Sequence, residues 1–127
     1  MIKDVTDLEI YQESLRLLPK LYDLLNKMSN SENFLSLQSK KCGISIPSNI
    51  AEGFAKRIFE KEFKRYLLIS LASCDELISH LRAIAIVAPN LADEANNLLL
   101  EYKQLAKKIN KTHSVWQFKG ITSSDLI

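Results

Sequence analysis

Residues 60–88 place Phe63, Leu67, Ser70, Cys74, Leu77, Leu81, Ile84 and Ala88 in an unbroken alternation of four-residue and three-residue steps. That spacing sets all of them on one stripe of an α-helix; a strand would bring its inward side chains round at every second residue. A stripe that repeats about every 3.5 residues favours shallow crossings of about +20° with its neighbours. It also requires partner helices, because a lone apolar stripe in water has nothing to bury against.

Three further segments supply partners. Residues 7–28 carry a seam of Leu8, Tyr11, Leu15, Leu18, Tyr22 and Leu25, with a second stripe of Ser14, Leu17, Leu21, Leu24 and Met28 beside it. So wide an apolar face predicts more than one neighbour. Thr6 or Asp7 is the expected cap of this helix. Residues 29–33, Ser-Asn-Ser-Glu-Asn, form a turn. Residues 34–55 are helical with a blurred period, since small and polar residues share the inward face. Pro89 and Asn90 are expected to end the third helix and cap the fourth, which spans residues 91–111 on a seam of Leu91, Ala95, Leu98, Tyr102, Leu105 and Ile109. Short connections make successive helices antiparallel neighbours. The expected fold is therefore all-α: an antiparallel up-down four-helix bundle over residues 1–111, then a non-helical C-terminal tail over residues 112–127.

A chain of 127 residues fits one domain and can hold a core without covalent staples. Its three glycines and three prolines disfavour an all-β fold full of tight turns. The longest apolar run, residues 83–89, is far short of the roughly 20 residues that cross a bilayer. The N-terminal stretch has acids where a signal peptide would be apolar. The expected setting is the cytoplasm, with Cys42 and Cys74 reduced and no membrane contact.

No enzyme is expected, and no cofactor, metal or small-molecule substrate. A di-metal bundle needs two Glu-x-x-His pairs, whereas this chain has only His80 and His113, neither with Glu three residues before it. Glu76 precedes His80 by four and could pair with it along one helix, which reads as a surface or boundary pair. Gly43, Gly53 and Gly120 are isolated, so there is no phosphate-cradling loop. Cys42 and Cys74 fall on inner faces and read as inert buried thiols, with no base near either in sequence.

The most informative stretch is Cys-Gly-Ile-Ser-Ile-Pro-Ser-Asn-Ile-Ala-Glu-Gly, residues 42–53. Pro47 sits within a helical pattern, and its ring would press on the carbonyl of Gly43, whose missing side chain gives the backbone room to bend. Ser45 and Asn49 share one face, as do Ser48 and Glu52. They read as an internal hydrogen-bond network that fixes helix register and satisfies the freed carbonyl, or as a polar pocket at a bend.

Ser-Ile-Pro-Ser-Asn-Ile-Ala-Glu-Gly, ending at Gly53, the pattern F-x-R-Y-L-x-I-S-x-A-S-x-x-E-L over residues 63–77, and the opening D-L-E-I-Y-Q-x-S-L-x-L over residues 7–17 together resemble the 23S rRNA intervening-sequence protein family. The resemblance covers about residues 7–81. It implies a bacterial four-helix bundle that assembles into rings, commonly pentamers, without enzyme activity. A similar bundle serves reverse transcriptases of diversity-generating retroelements as an accessory protein that contacts nucleic acid. Lys40, Lys41 and Cys42 replace the two arginines and small residue usual in the family, which keeps charge but weakens bidentate phosphate contact. The turn Lys56-Arg57-Ile58-Phe59 lacks the family's usual Ser or Thr cap.

Net charge is only +2, so an argument for nucleic acid must rest on clustering. Lys40, Lys41, Lys56, Arg57, Lys61, Lys64 and Arg65 against Glu52, Glu60 and Glu62 leave residues 40–65 with an excess of four positive charges, while the rest of the chain carries an excess of two negative. Gathered at a helix turn, that excess suits a phosphate backbone. The plain alternative is that these residues complement helix ends, as Lys107, Lys108 and Lys111 do at the close of the fourth helix, and pair locally. Lys40 and Lys41 stand about 24 Å along the helix from Lys56.

Ile58 and Phe59 in a turn, with Trp116 and Phe118 in the tail, are expected contacts between copies of the chain, unless the tail folds back over its own bundle. The function expected is a non-enzymatic homo-oligomer that binds RNA or DNA by shape and charge. Its rival is a protein-interaction module indifferent to nucleic acid.

Overall fold

The computed structural model describes residues 2–117. It has four long helices: α1 (Glu9–Asn26), α2 (Asn33–Ala55), α3 (Glu60–Val87) and α4 (Ala92–Val115). Single 3₁₀ turns at Val5–Asp7, Asn30–Glu32 and Pro89–Leu91 lead into α1, α2 and α4. No strand occurs among the described residues.

Cross-links between helices fix their directions. On α1 and α4, Glu9 meets Lys108, Arg16 and Lys20 meet Glu101, and Lys27 meets Glu94, so numbers rise on one helix as they fall on the other. On α2 and α3, Ser45 meets Ser73, Ile46 meets Ser70 and Glu52 meets Tyr66. Tyr22 of α1 lies under Lys40 of α2, while Leu18 and Leu21 lie against Gly43. Cys74 of α3 meets Tyr102 of α4. Each neighbouring pair is thus antiparallel, and the bundle runs up, down, up, down.

The α3 seam is buried from Phe63 to Ile84, and all six seam positions of α4 are buried. The dense centre of the bundle includes Tyr102, Phe63, Leu17, Ile46, Leu77 and Leu105, each closed to solvent. Burying one such side chain contributes about 1.5–3 kcal/mol.

On α1 both stripes share the core, as its wide apolar face implies. Ile10, Ser14, Leu17, Leu21, Leu24 and Leu25 are buried, as is Leu8 at its start, while Leu15 is 41% exposed and Tyr11, Leu18 and Tyr22 lie at the boundary. Ser14 is tolerated inside because its hydroxyl donates to the Tyr11 carbonyl at 2.7 Å and leaves no polar atom unpaired. The start of the chain differs from the expectation. Neither Thr6 nor Asp7 caps α1, which starts after Leu8 with no side-chain cap; Asp4 instead caps the preceding 3₁₀ turn, its carboxylate accepting from the Thr6 amide while the Asp7 carboxylate accepts from the Asp4 amide, a reciprocal capping box. At the other end α4 continues to Val115, four residues past its expected close.

Gly43 has a packing role beside its expected one. α2 stays helical through Pro47. A Cβ on Gly43 would stand 2.5 Å from Leu21 Cδ2, so the missing side chain admits α1. Gly53 does the same for α3, with Tyr66 Cβ at 2.5 Å and the Phe63 carbonyl at 3.3 Å from the position of its absent Cβ.

Candidate nucleic-acid interface

The α2–α3 connection spans residues 56–59 between two long helices, so it gathers the last turn of one and the first turn of the next at one end of the bundle. Lys56, Arg57, Lys61, Lys64 and Arg65 are all there. Glu52, Glu60 and Glu62 accompany them: Lys56 reaches Glu52 at 3.9 Å, Lys64 reaches Glu60 at 3.6 Å and Arg65 reaches Glu62 at 3.1 Å. Five cations against three carboxylates leave this end with an excess of two positive charges. Such exposed pairs hold their partners weakly.

Arg57 has a structural duty: its guanidinium donates to the Phe54 carbonyl at 3.1 Å and stacks 4.1 Å over the Phe54 ring, closing the end of α2. Tyr66 is flanked by Lys56 at 5.2 Å and Arg65 at 4.6 Å from its ring centre. Phe59, 63% exposed, projects from the same turn and begins α3 without a side-chain cap, as the sequence of the turn suggests.

Lys40 and Lys41 belong elsewhere. Lys40 lies 5.3 Å over the Tyr22 ring, in the α1–α2 groove. Lys41 is exposed between Leu37 and Ile44 on the outer face of α2. A second basic row emerges only in three dimensions: Lys103, Lys107 and Lys111 of α4 stand four residues apart, all exposed, with no ion pair among the described residues. In sequence Lys107 and Lys111 read as helix closure, yet Trp116, just beyond, packs at the α2–α3 end, so the row leads toward the same pole.

Trp116 follows the fold-back alternative. Its ring meets Phe63 edge-on at 4.6 Å and Phe54 at 6.4 Å, half-buried against its own core, where it caps the aromatic cluster. The extra turn of α4 delivers it there. Ile58 and Phe59 do remain exposed. Phe118 lies outside the described residues.

The central polar stretch forms a network, with donors that reach other carbonyls than that of Gly43. Asn49 donates to the Ser45 carbonyl at 2.8 Å and hydroxyl at 2.9 Å, Ser45 meets Ser73 at 2.8 Å, and Ser70 donates to the Ile46 carbonyl at 2.9 Å. These bonds register α2 on α3. Glu52 is exposed and accepts from the Tyr66 hydroxyl at 3.3 Å.

Cys42 has company that its neighbours in sequence do not reveal. Its thiol donates to Glu76 Oε2 at 3.2 Å and lies 3.9 Å from His80 Nδ1. Burial first, and then the Glu76 carboxylate, push this thiol up to about 12, so at neutral pH it is no nucleophile. Cys74 is likewise pushed up to about 12 by burial and donates to the Tyr102 carbonyl at 3.3 Å. A shallow cleft of about 290 Å³ between α1 and α4 is lined by Lys20, Asp23, Lys27, Glu94 and Glu101, side chains largely engaged in ion pairs with one another. No helix among the described residues is long and apolar enough to cross a membrane.

The model of one protein family, described as 23S rRNA-intervening sequence protein, matches residues 6–111. No curated protein matches the chain.

Proposed function

The chain belongs to the family of 23S rRNA-intervening sequence proteins, and from that premise we propose that it is a non-enzymatic, self-associating bundle that binds RNA or DNA by shape and charge. The observation that carries this reading is the basic, aromatic-bearing pole at the α2–α3 turn. Lys56 and Arg65 flank Tyr66, and Lys61, Lys64 and the exposed Phe59 lie in the same turn and the start of α3. Cations there can neutralise phosphates and release counterions, and an exposed ring offers a stacking surface for an unpaired base. Phosphate neutralisation and stacking carry no base-edge readout, so the proposed binding is indifferent to sequence.

Assembly is supported by a separate feature. Phe34, 77% exposed, with Leu37 and Ile44, also exposed, forms a row on the outer face of α2 at helical spacing, with Lys41 among them. Such a row suits contact with another copy of the chain. It equally favours a second reading, a protein-contact module without nucleic acid.

The two separate in a binding titration with generic single-stranded RNA. Replacing Lys56, Lys61, Lys64 and Arg65 by Ala should weaken binding and lower the salt slope by about 0.7–0.9 for each phosphate that is no longer neutralised. Replacing Lys20 and Lys27, paired on the α1–α4 face, should leave the slope unchanged. Equal slopes for wild type and the four-site variant would remove this pole from the interface.

A further inference from the structure

Glu76 and His80 stand four residues apart on α3, one helical turn, so both project from the same face. Cys42 of α2 faces them across the helix–helix groove. Its Sγ is 3.2 Å from Glu76 Oε2 and 3.9 Å from His80 Nδ1, and one ligand atom from each of the three lies within 4.8 Å of the others. We propose that Cys42, Glu76 and His80 form a binding site for a single Zn²⁺ ion that clips α2 to α3.

The three ligand atoms need only small side-chain shifts to close around an ion: Sγ stands 3.2 Å from Glu76 Oε2 and 3.9 Å from His80 Nδ1. Zn–S bonds of about 2.3 Å and Zn–N or Zn–O bonds of about 2.0–2.2 Å at tetrahedral angles separate ligand atoms by about 3.5 Å. Sulfur, imidazole nitrogen and a carboxylate oxygen form a donor set that suits zinc and disfavours calcium or magnesium, which take oxygen. Burial is graded in a way that admits an ion: Cys42 is buried at the floor, His80 half-buried and Glu76 exposed at the mouth. Three protein ligands leave the fourth position to water from that side. Ser39 Oγ, closed to solvent, donates to the Leu35 carbonyl at 2.8 Å and stands 3.4 Å from the same His80 Nδ1 that faces Cys42, so it lines the site beside that nitrogen. Without a cation the thiol keeps its proton and donates it to Glu76. A divalent ion inverts that preference, because the thiolate becomes its strongest ligand.

The full-length, reduced protein, stripped of metal by a chelator, tests this with Co²⁺ as a spectroscopic stand-in. The expected result is a thiolate-to-cobalt charge-transfer band that saturates at one equivalent and is bleached by Zn²⁺. Cys42→Ser should abolish the band. Glu76→Gln and His80→Gln should each weaken Zn²⁺ binding by at least about tenfold, the loss that even a supporting residue of a metal site produces, while His113→Gln should not. Zn²⁺ should raise the melting temperature of the wild type and not of the ligand variants, with circular dichroism reporting that each is folded. The absence of a charge-transfer band in the wild type, or a band that survives Cys42→Ser, overturns the site. Should Cys42→Ser fail to fold, Glu76→Gln at the exposed mouth decides, and unchanged Zn²⁺ affinity there overturns it equally.

Discussion

Gly53 sits where α3 lies close against the α2 backbone, and it separates two effects of opposite sign. Ala in a helix interior is favoured over Gly by about 1 kcal/mol, but a Cβ here would stand 2.5 Å from Tyr66 Cβ and 3.3 Å from the Phe63 carbonyl, neither of which is the free end of a flexible side chain. Overpacking of this kind costs about 1–3 kcal/mol. Gly53→Ala should therefore lower the melting temperature, and Gly43→Ala, opposed by a Leu21 methyl, should lower it less. A stabilised Gly53→Ala protein would show that the helices can part cheaply. Ser70 is fully buried and donates to the Ile46 carbonyl, so Ser70→Ala should cost about 0.5–1.5 kcal/mol in a urea melt. The residues of this stretch are legible in the sequence as special, and the pairing of Ser45 with Asn49 along one helix follows from spacing. Their partners on α3 do not, because Ser70 and Ser73 lie at interior positions of a helix whose sequence marks them only as small.

At the scale of the element, α3 and α4 are legible because every inward position is apolar or small and the period never breaks. α1 is legible only as a wide apolar face: both stripes contribute buried residues, Leu25 from one and Leu17, Leu21 and Leu24 from the other, and only the neighbouring helices decide that Leu15 is left outside. Its outward face is held to α4 by a ladder of ion pairs. Burial acts to raise the Glu101 carboxyl, and the hydrogen bonds from Lys20 and Arg16 overcome it, holding the group below its ordinary 4.5. Glu13 is held below 4.5 by its hydrogen bond from Arg16. A carboxyl depressed by folding stabilises the native state above its unfolded value, and that stability is lost as pH falls through the folded value. The bundle should hence lose stability below about pH 4.5. Glu101→Gln should flatten that loss while costing less than about 1 kcal/mol at neutral pH, since these side chains are partly exposed. A pH series of thermal melts checks both, and an acid limb identical in Glu101→Gln would deny the ladder any part in it.

Across the whole molecule, what the sequence does not reveal is which distant residues meet. Glu76 and His80 are visible as a pair on one helix, but Cys42, 34 residues before Glu76, joins them only through the α2–α3 packing. Lys107 and Lys111 read as helix closure, since nothing local says that α4 ends beside the α2–α3 turn. For the same reason Trp116 reads in sequence as a contact between subunits. With it folded onto Phe54 and Phe63, the exposed apolar side chains available for assembly include the α2 row of Phe34, Leu37 and Ile44, and the turn residues Ile58 and Phe59. Leu37→Glu should therefore shift native mass spectra toward monomer without unfolding the chain; a wild type that is monomeric at micromolar concentration would exclude assembly. The most direct test of the functional reading is the affinity of the wild-type protein for two unrelated single-stranded RNAs, followed from about 50 to 200 mM salt. The expected result is binding that weakens linearly in log–log form, with the same slope for both sequences; no binding at the low-salt end, or affinity that ignores salt, would contradict it.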